Sequence, residues 1–172
     1  MTDPLSVTVS AFSLADIAFR SGCAIANFIS TVLEASAALG PLRKKIKETN
    51  ETIALVRALC LTYRDSTLVY GARKAFETLV ECLDHYIKDV ARLGNVIGYS
   101  DEASDKWPEP FTVKLKFACK KGEIAELSQC LEAHKSSLAN ALEIIGRCVI
   151  YIILGSVEMR WNPQASRSEE HG

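Results

Sequence analysis

The chain has 172 residues, a formal net charge of −1, 48% hydrophobic residues and 24% charged residues. This length and composition suit one domain with a substantial core, and they exclude disorder for most of the chain. The near-neutral charge lacks the basic footprint of a general nucleic-acid binder, so we expect no nucleic-acid partner. The six cysteines are scattered without a C-x-x-C pair, which is typical of buried free thiols in a reducing compartment and indicates an intracellular protein.

The first predicted helix begins with Asp3 as its N-cap and Pro4 at its first helical position. From Pro4 to Leu33 the only charged residues are Asp16 and Arg20, which make the stretch a poor conventional transmembrane span. Its apolar residues occupy several faces, so it must be covered by other helices or by lipid. Two interpretations stay open: a central helix covered by three amphipathic helices, or a metastable helix released into a bilayer. The candidate membrane or partner contacts are Leu5, Val9, Phe12, Ile17 and Phe19.

Three later segments repeat apolar residues at alternating three- and four-residue steps, which predicts helices with one seam facing a partner. The breaks between segments agree with this pattern, because Gly40 and Pro41 are predicted to end one helix and start the next. A short helix is predicted from about 111 to 120, after a long polar loop. The seam residues are Ile46, Thr49, Ile53, Val56, Cys60 and Tyr63; then Phe76, Leu79, Leu83, Tyr86, Val90, Leu93 and Ile97; then Ile124, Leu127, Leu131, His134, Leu138, Ala141, Ile145, Cys148 and Ile152.

These elements predict an all-α protein, an elongated antiparallel bundle of four long helices plus one short helix. We expect the helical-bundle domain to span residues 1–156. Residues 157–172 are polar and rich in serine and charge toward the end, so they are predicted to form a C-terminal tail or linker.

The sequence offers no pattern for catalysis, for a cofactor or for a metal. It contains no nucleophile elbow, no glycine-rich phosphate loop and no H-E-x-x-H motif, so we predict that the protein is not an enzyme. His85 lies beside Cys82 and Asp84, but one helical turn supplies too few converging ligands for a metal. His134 on the last seam is either a hydrogen-bonded structural residue or a buried switch, and we favour the former.

Two basic clusters are candidate contacts for an anionic membrane or a partner protein. The first opens the second helix, where cations oppose the helix dipole. The second mixes cations with aromatic residues, a combination that suits an anionic membrane surface. The alternative is a solubilising surface, which is the usual role of charged runs. The clusters comprise Arg43, Lys44, Lys45 and Lys47, and then Trp107, Lys114, Lys116, Phe117, Lys120 and Lys121.

Two segments resemble a known family. The start, Asp3-Pro4-Leu5-Ser6-Val7-Thr8-Val9-Ser10, resembles the opening of the fungal N-terminal domain of STAND and NLR-like proteins. That domain is also named after the azaphilone pigment biosynthesis cluster protein L, and it is similar to the HeLo and HeLo-like cell-death domains. The segment from Lys120 to Leu127 and the Leu-x-x-His-Lys-Ser-x-Leu-x-x-Ala-Leu pattern from Leu131 to Leu142 are similar to the family's closing helix. The resemblance covers about residues 1–154.

The resemblance implies a signalling or effector module that acts in fungal non-self recognition and regulated cell death. On this basis we expect self-association or protein partners, membrane engagement, and a cytoplasmic protein recruited to the plasma membrane. The family usually continues into a nucleotide-binding and a repeat domain, and no P-loop follows in this sequence. Two alternatives stay open: an adaptor bundle that binds partner helices without touching lipid, and a domain that only homodimerises.

Overall fold

The computed structural model describes residues 4–32, 39–62, 69–99 and 120–161, with side chains at 6–31, 39–62, 72–99, 120–151 and 154. These residues form four helices and no strand, which confirms the predicted all-α class. The helices are α1 (Pro4–Val32), α2 (Leu39–Thr62), α3 (Val69–Ile97) and α4 (Lys121–Trp161). The predicted short helix lies outside the described residues, except for Lys120.

The four helices form a bundle in which α1 and α4 occupy opposite corners. The main contacts of α1 are with α2 and α3, and the main contacts of α4 are with the same two helices. The expectation that α1 lies at the centre of three helices is therefore wrong. Helices α2 and α3 form the other diagonal of the bundle, and each of them packs on both α1 and α4.

The seams of the last three helices are buried as the sequence pattern predicts. In α2 and α3, every described seam residue is buried, from Ile46 to Cys60 and from Phe76 to Ile97. In α4, His134 and Cys148 are half-buried and the other described seam residues are buried. Tyr63 and the side chain of Ile152 lie outside the described residues.

The helix ends follow local chemistry. Helix α1 begins at Pro4 as predicted, and the prediction that Gly40 ends it is wrong because Gly40 already lies inside α2. Gly40 and Pro41 both lie in the first turn of α2, where proline fits because its missing N–H needs no partner. Helix α3 ends before Gly98, whose φ of 81° allows the N–H of Tyr99 to donate to the carbonyl of Gly94 at 2.8 Å.

Candidate interaction surfaces

Small side chains form the buried face of α1 over its first turns. Ala11, Ala15 and Ala18 are fully buried, and Gly22 continues their four- and three-residue spacing. Small residues let neighbouring backbones approach closely, but each buries little apolar area. The N-terminal part of α1 is therefore held by close fit more than by large hydrophobic side chains.

The large apolar side chains of α1 that the sequence singles out lie on its other faces. Val9 is 44% exposed and Ile17 is 49% exposed. Phe12 and Phe19 are half-buried and pack against the edge of the core. The side chain of Leu5 lies outside the described residues. The four described candidates thus border a surface that another molecule can reach.

By length and composition, one helix of the described chain could cross a membrane: residues Ser6–Thr31 of α1. Only 33% of its most apolar window is buried in the bundle. The core helix of a soluble protein and a signal sequence meet the same criterion. Within this segment, Val9 and Ile17 are the exposed large apolar side chains.

A charged contact joins α1 to α2. The Arg57 guanidinium of α2 lies 2.7 Å from the Asp16 carboxylate and 5.1 Å from the centre of the Phe19 ring. Arg20 pairs with the same carboxylate at 2.6 Å, but its side chain is largely exposed. Arg57 therefore neutralises an acidic residue in α1 and covers an aromatic ring beside it.

A buried polar centre joins α1, α2 and α3 at Gly22, Cys23, Asn50 and Tyr86. The Tyr86 hydroxyl donates to Asn50 Oδ1 at 2.9 Å, and Asn50 Nδ2 donates to the Phe19 carbonyl and to Cys23 Sγ, both at 3.4 Å. A Cβ atom on Gly22 would overlap Asn50 Oδ1 and lie 2.5 Å from the Tyr86 hydroxyl. The absence of a side chain at position 22 therefore makes room for this bond.

The protonated hydroxyl of Tyr86 suits its role as a donor. Burial raises the pKa of Tyr86 well above its ordinary value, so the hydroxyl keeps its proton. The Tyr86 ring also meets the His134 ring edge to face, with centroids 6.2 Å apart. His134 Nε2 lies 2.8 Å from Asp89 Oδ2, so this histidine is hydrogen-bonded between α3 and α4.

The first basic cluster is partly used within the protein. Lys45 donates to the Ser128 carbonyl of α4 at 3.2 Å and lies 4.0 Å from Glu132. Lys44 lies 3.8 Å from Glu48. Arg43 is half-buried, and Lys47 is exposed at the surface.

The second basic cluster is described only at Lys120 and Lys121, both of which are exposed. Lys120 lies 3.7 Å from Glu123. The candidates Trp107, Lys114, Lys116 and Phe117 lie outside the described residues. Because Lys45 reaches Ser128 near the start of α4, the structure brings the described parts of both clusters to the same end of the bundle.

The exposed large apolar side chains lie toward the other end. Val9 of α1 and Leu61 of α2 line one cleft, so the start of α1 meets the end of α2. Helix α4 has 41 residues against 24 in α2 and 29 in α3, and its C-terminal half carries an apolar surface. The exposed members on α4 are Ile144, Ile150, Tyr151 and Leu154. The structure therefore separates the apolar surface from the basic clusters.

A cleft of about 400 Å³ lies between α1 and α3. Small residues, including Ala24, Ala91 and Gly94, form much of its wall, and Arg20 and Tyr99 also line it. Its polar lining residues are Arg20, Ser21, Asn95 and Tyr99.

The described cysteines are free thiols. Burial raises the pKa of Cys60 to about 12, which keeps this thiol protonated and unreactive. Among the described residues, no group of three His, Cys, Asp or Glu side chains could hold a metal ion, and His85 is exposed.

Sequence reasoning missed Gly22, Asn50 and Arg57 as contact residues. The available signals were a glycine inside an apolar helix, which often marks a close approach of backbones, and a polar asparagine beside the buried position of Thr49. Tyr86 was predicted on the α3 seam, but its hydrogen bond was not.

No family model, curated protein or solved structure matches this chain.

Proposed function

We propose that this chain is the N-terminal signalling or effector domain of a fungal NLR-like protein of the STAND class. In this proposal it acts in non-self recognition or regulated cell death, through self-association and membrane engagement. The two sequence segments described above support the family, and the character of α1 supports the mechanism. The protein would be cytoplasmic and recruited to the plasma membrane on activation.

The observation that carries the proposal is the arrangement of α1. This helix lies at a corner of the bundle, buries a stripe of small residues, and leaves Val9 and Ile17 exposed. Release of α1 breaks its contacts with α2 and α3 and leaves the contacts of α4 with the same two helices in place. In a bilayer, stripes of small residues allow helices to associate closely, so the buried face could also serve self-association.

We also propose that the bundle is elongated and antiparallel and that it includes a short helix over about 111–120. Contacts between the start of α1 and the end of α2 support an antiparallel pair. Arg92 near the end of α3 lies 3.1 Å from both Glu123 and Glu126 near the start of α4, which supports a second one.

Vesicle leakage tests the membrane role. We expect the domain to release dye from anionic vesicles, and Val9→Glu together with Ile17→Glu to abolish this release without unfolding the protein. Leu55→Glu is the matched control, because Leu55 is also an exposed large apolar residue, at 63% exposure, but lies on α2. Leakage that persists in the α1 variant, with its circular dichroism unchanged, would contradict insertion of α1.

Leakage at two salt concentrations tests the basic clusters. Each basic residue near an anionic surface contributes about 1 kcal/mol. Because Lys44 and Lys45 already have acidic or carbonyl partners, and the cluster lies away from exposed Val9, we expect only a weak salt dependence. A steep loss of binding with salt would show instead that the basic clusters dominate membrane contact.

The second candidate function is a protein adaptor without membrane activity. The exposed apolar side chains of α4 favour it, because Tyr151 is 82% exposed and Ile150 and Leu154 lie beside it. Such a surface fits an amphipathic helix of a partner. Absence of vesicle binding at any salt concentration, with loss of signalling in cells on Tyr151→Glu, would favour the adaptor.

A further inference from the structure

Several polar contacts join the midsection of α1 to α2 and α3. Asp16 meets Arg57, the Phe19 carbonyl and Cys23 meet Asn50, and Gly22 makes room for the Asn50–Tyr86 bond. These four α1 residues span about two turns. Polar residues inside an interface fix the register of a helix, because a slipped helix leaves them unpaired.

The contacts that hold the rest of the bundle do not involve α1. Lys135 of α4 donates to Glu48 of α2 at 2.6 Å, and His134 of α4 meets Asp89 of α3 at 2.8 Å. The apolar seam of α4 also packs on α2 and α3. Helix α1 can therefore separate while α4 still connects the other two helices.

We propose that the midsection contacts form a latch that holds α1 in one register and lets it open as a unit. The latch comprises Asp16, Phe19, Gly22 and Cys23 of α1 with Arg57, Asn50 and Tyr86. Opening transfers Asn50 and Tyr86 to water, where their polar groups are hydrated, so the open state is less unfavourable than one that exposes only aliphatic side chains. This inference rests on the proposed function in one respect, since it takes the release of α1 as the activating step.

Two native thiols report separately on the two sides of the bundle. Cys60 is 1% exposed and lines a cleft with Thr8, Val9 and Phe12 of α1, so its alkylation requires α1 to move. Cys82 of α3 is half-buried and lies close to Ser137 of α4, so its alkylation rate responds to the α3–α4 contact. Iodoacetamide labelling followed by peptide mass spectrometry measures both rates in the same sample.

Gly22→Ala is the decisive variant, and Gly146→Ala is its matched control. An added Cβ at Gly22 displaces the Asn50–Tyr86 pair, whereas a Cβ at Gly146 of α4 meets nothing within 4 Å. We expect Gly22→Ala to raise the labelling rate of Cys60 about tenfold relative to Cys82, the effect of leaving one buried polar group unpaired. Gly146→Ala should leave the ratio of the two rates unchanged.

Leu138→Ala, which removes a fully buried side chain of α4, calibrates the response to general destabilisation and should raise both rates. Equal increases at Cys60 and Cys82 in Gly22→Ala, or no increase at Cys60, would overturn the latch. If Gly22→Ala does not fold, Asn50→Ala is judged by the same ratio. Because no lipid is present, an absence of vesicle leakage would count against the proposed function and leave the latch standing.

Discussion

Helices α1 and α4 pack on the same two helices, yet they are held by different chemistry. Helix α4 presents large aliphatic side chains, among them Leu127, Leu131 and Leu138, each at most 1% exposed. Helix α1 presents Ala11, Ala15 and Ala18 in its N-terminal part and a polar latch in its midsection. Its large buried side chains, Ile25, Phe28 and Ile29, follow the latch. The apolar composition of a helix therefore does not by itself measure how firmly the helix is held in the bundle.

The energetic consequence follows from buried area. A buried leucine contributes about 1.5–3 kcal/mol relative to an exposed one, and an alanine contributes much less because it has less area to bury. Helix α4 adds ion pairs between helices, such as those of Lys135 with Glu48 and Arg92 with Glu123. We therefore expect α4 to form the stable part of the bundle and α1 the detachable part.

The largest expected effect comes from shortening the α4 seam. Leu127→Ala should lower the free energy of unfolding by about 3 kcal/mol, because it removes a fully buried side chain and leaves a cavity. On the buried face of α1, Ala15→Gly removes only a methyl group. It should lower the free energy of unfolding by about 1 kcal/mol, mainly through helix propensity. Urea unfolding measures both values, and equal losses would contradict the difference between the helices.

The next effect concerns the buried centre of the latch. Tyr86→Phe removes the hydroxyl that donates to Asn50 Oδ1 and leaves that oxygen buried without this partner. We expect the free energy of unfolding to fall by about 1–2 kcal/mol. Thermal unfolding measures the loss, and Tyr151→Phe is the control because Tyr151 is 82% exposed. A Tyr86→Phe protein as stable as its parent would show that the bond carries no net stability.

A smaller effect is expected at the charged contact between α1 and α2. Arg57→Met removes the partner of Asp16 and the cation over Phe19, so it should lower the free energy of unfolding by about 1 kcal/mol or less. Arg20→Met removes the other partner of the same carboxylate, but the Arg20 side chain is 79% exposed. We expect no measurable loss from Arg20→Met, and equal losses in the two variants would show that only the charge at Asp16 matters.

The sequence predicts the seams of α2, α3 and α4 because large apolar residues recur there with coiled-coil spacing. It fails over the N-terminal part of α1, since Val9, Phe12, Ile17 and Phe19 suggest a core role, while Ala11, Ala15 and Ala18 are the residues buried between them. A buried helix face is recognised in a sequence by regularly spaced large apolar residues, so a face formed by alanines is not recognised. The latch is also hidden, because the bond between Asn50 and Tyr86 joins positions 36 residues apart in the chain.

The smallest effect lies on the α4 side and depends on pH. The hydrogen bond from Lys135 holds the pKa of Glu48 below its ordinary value of 4.5, and the same bond raises the pKa of Lys135. The folded protein therefore binds a proton at Glu48 less readily than the unfolded chain does. The stability that this pair contributes is present above pH 4.5 and is lost as the pH falls through the lowered pKa.

Urea midpoints measured between pH 7 and pH 3 test this expectation. Glu48→Gln should reduce the fall of the urea midpoint between pH 7 and pH 3. Glu81→Gln, at an exposed position of α3, should leave the dependence of the midpoint on pH unchanged. Midpoints of Glu48→Gln that fall with acid as steeply as those of the parent would contradict a contribution of the Glu48–Lys135 pair to stability.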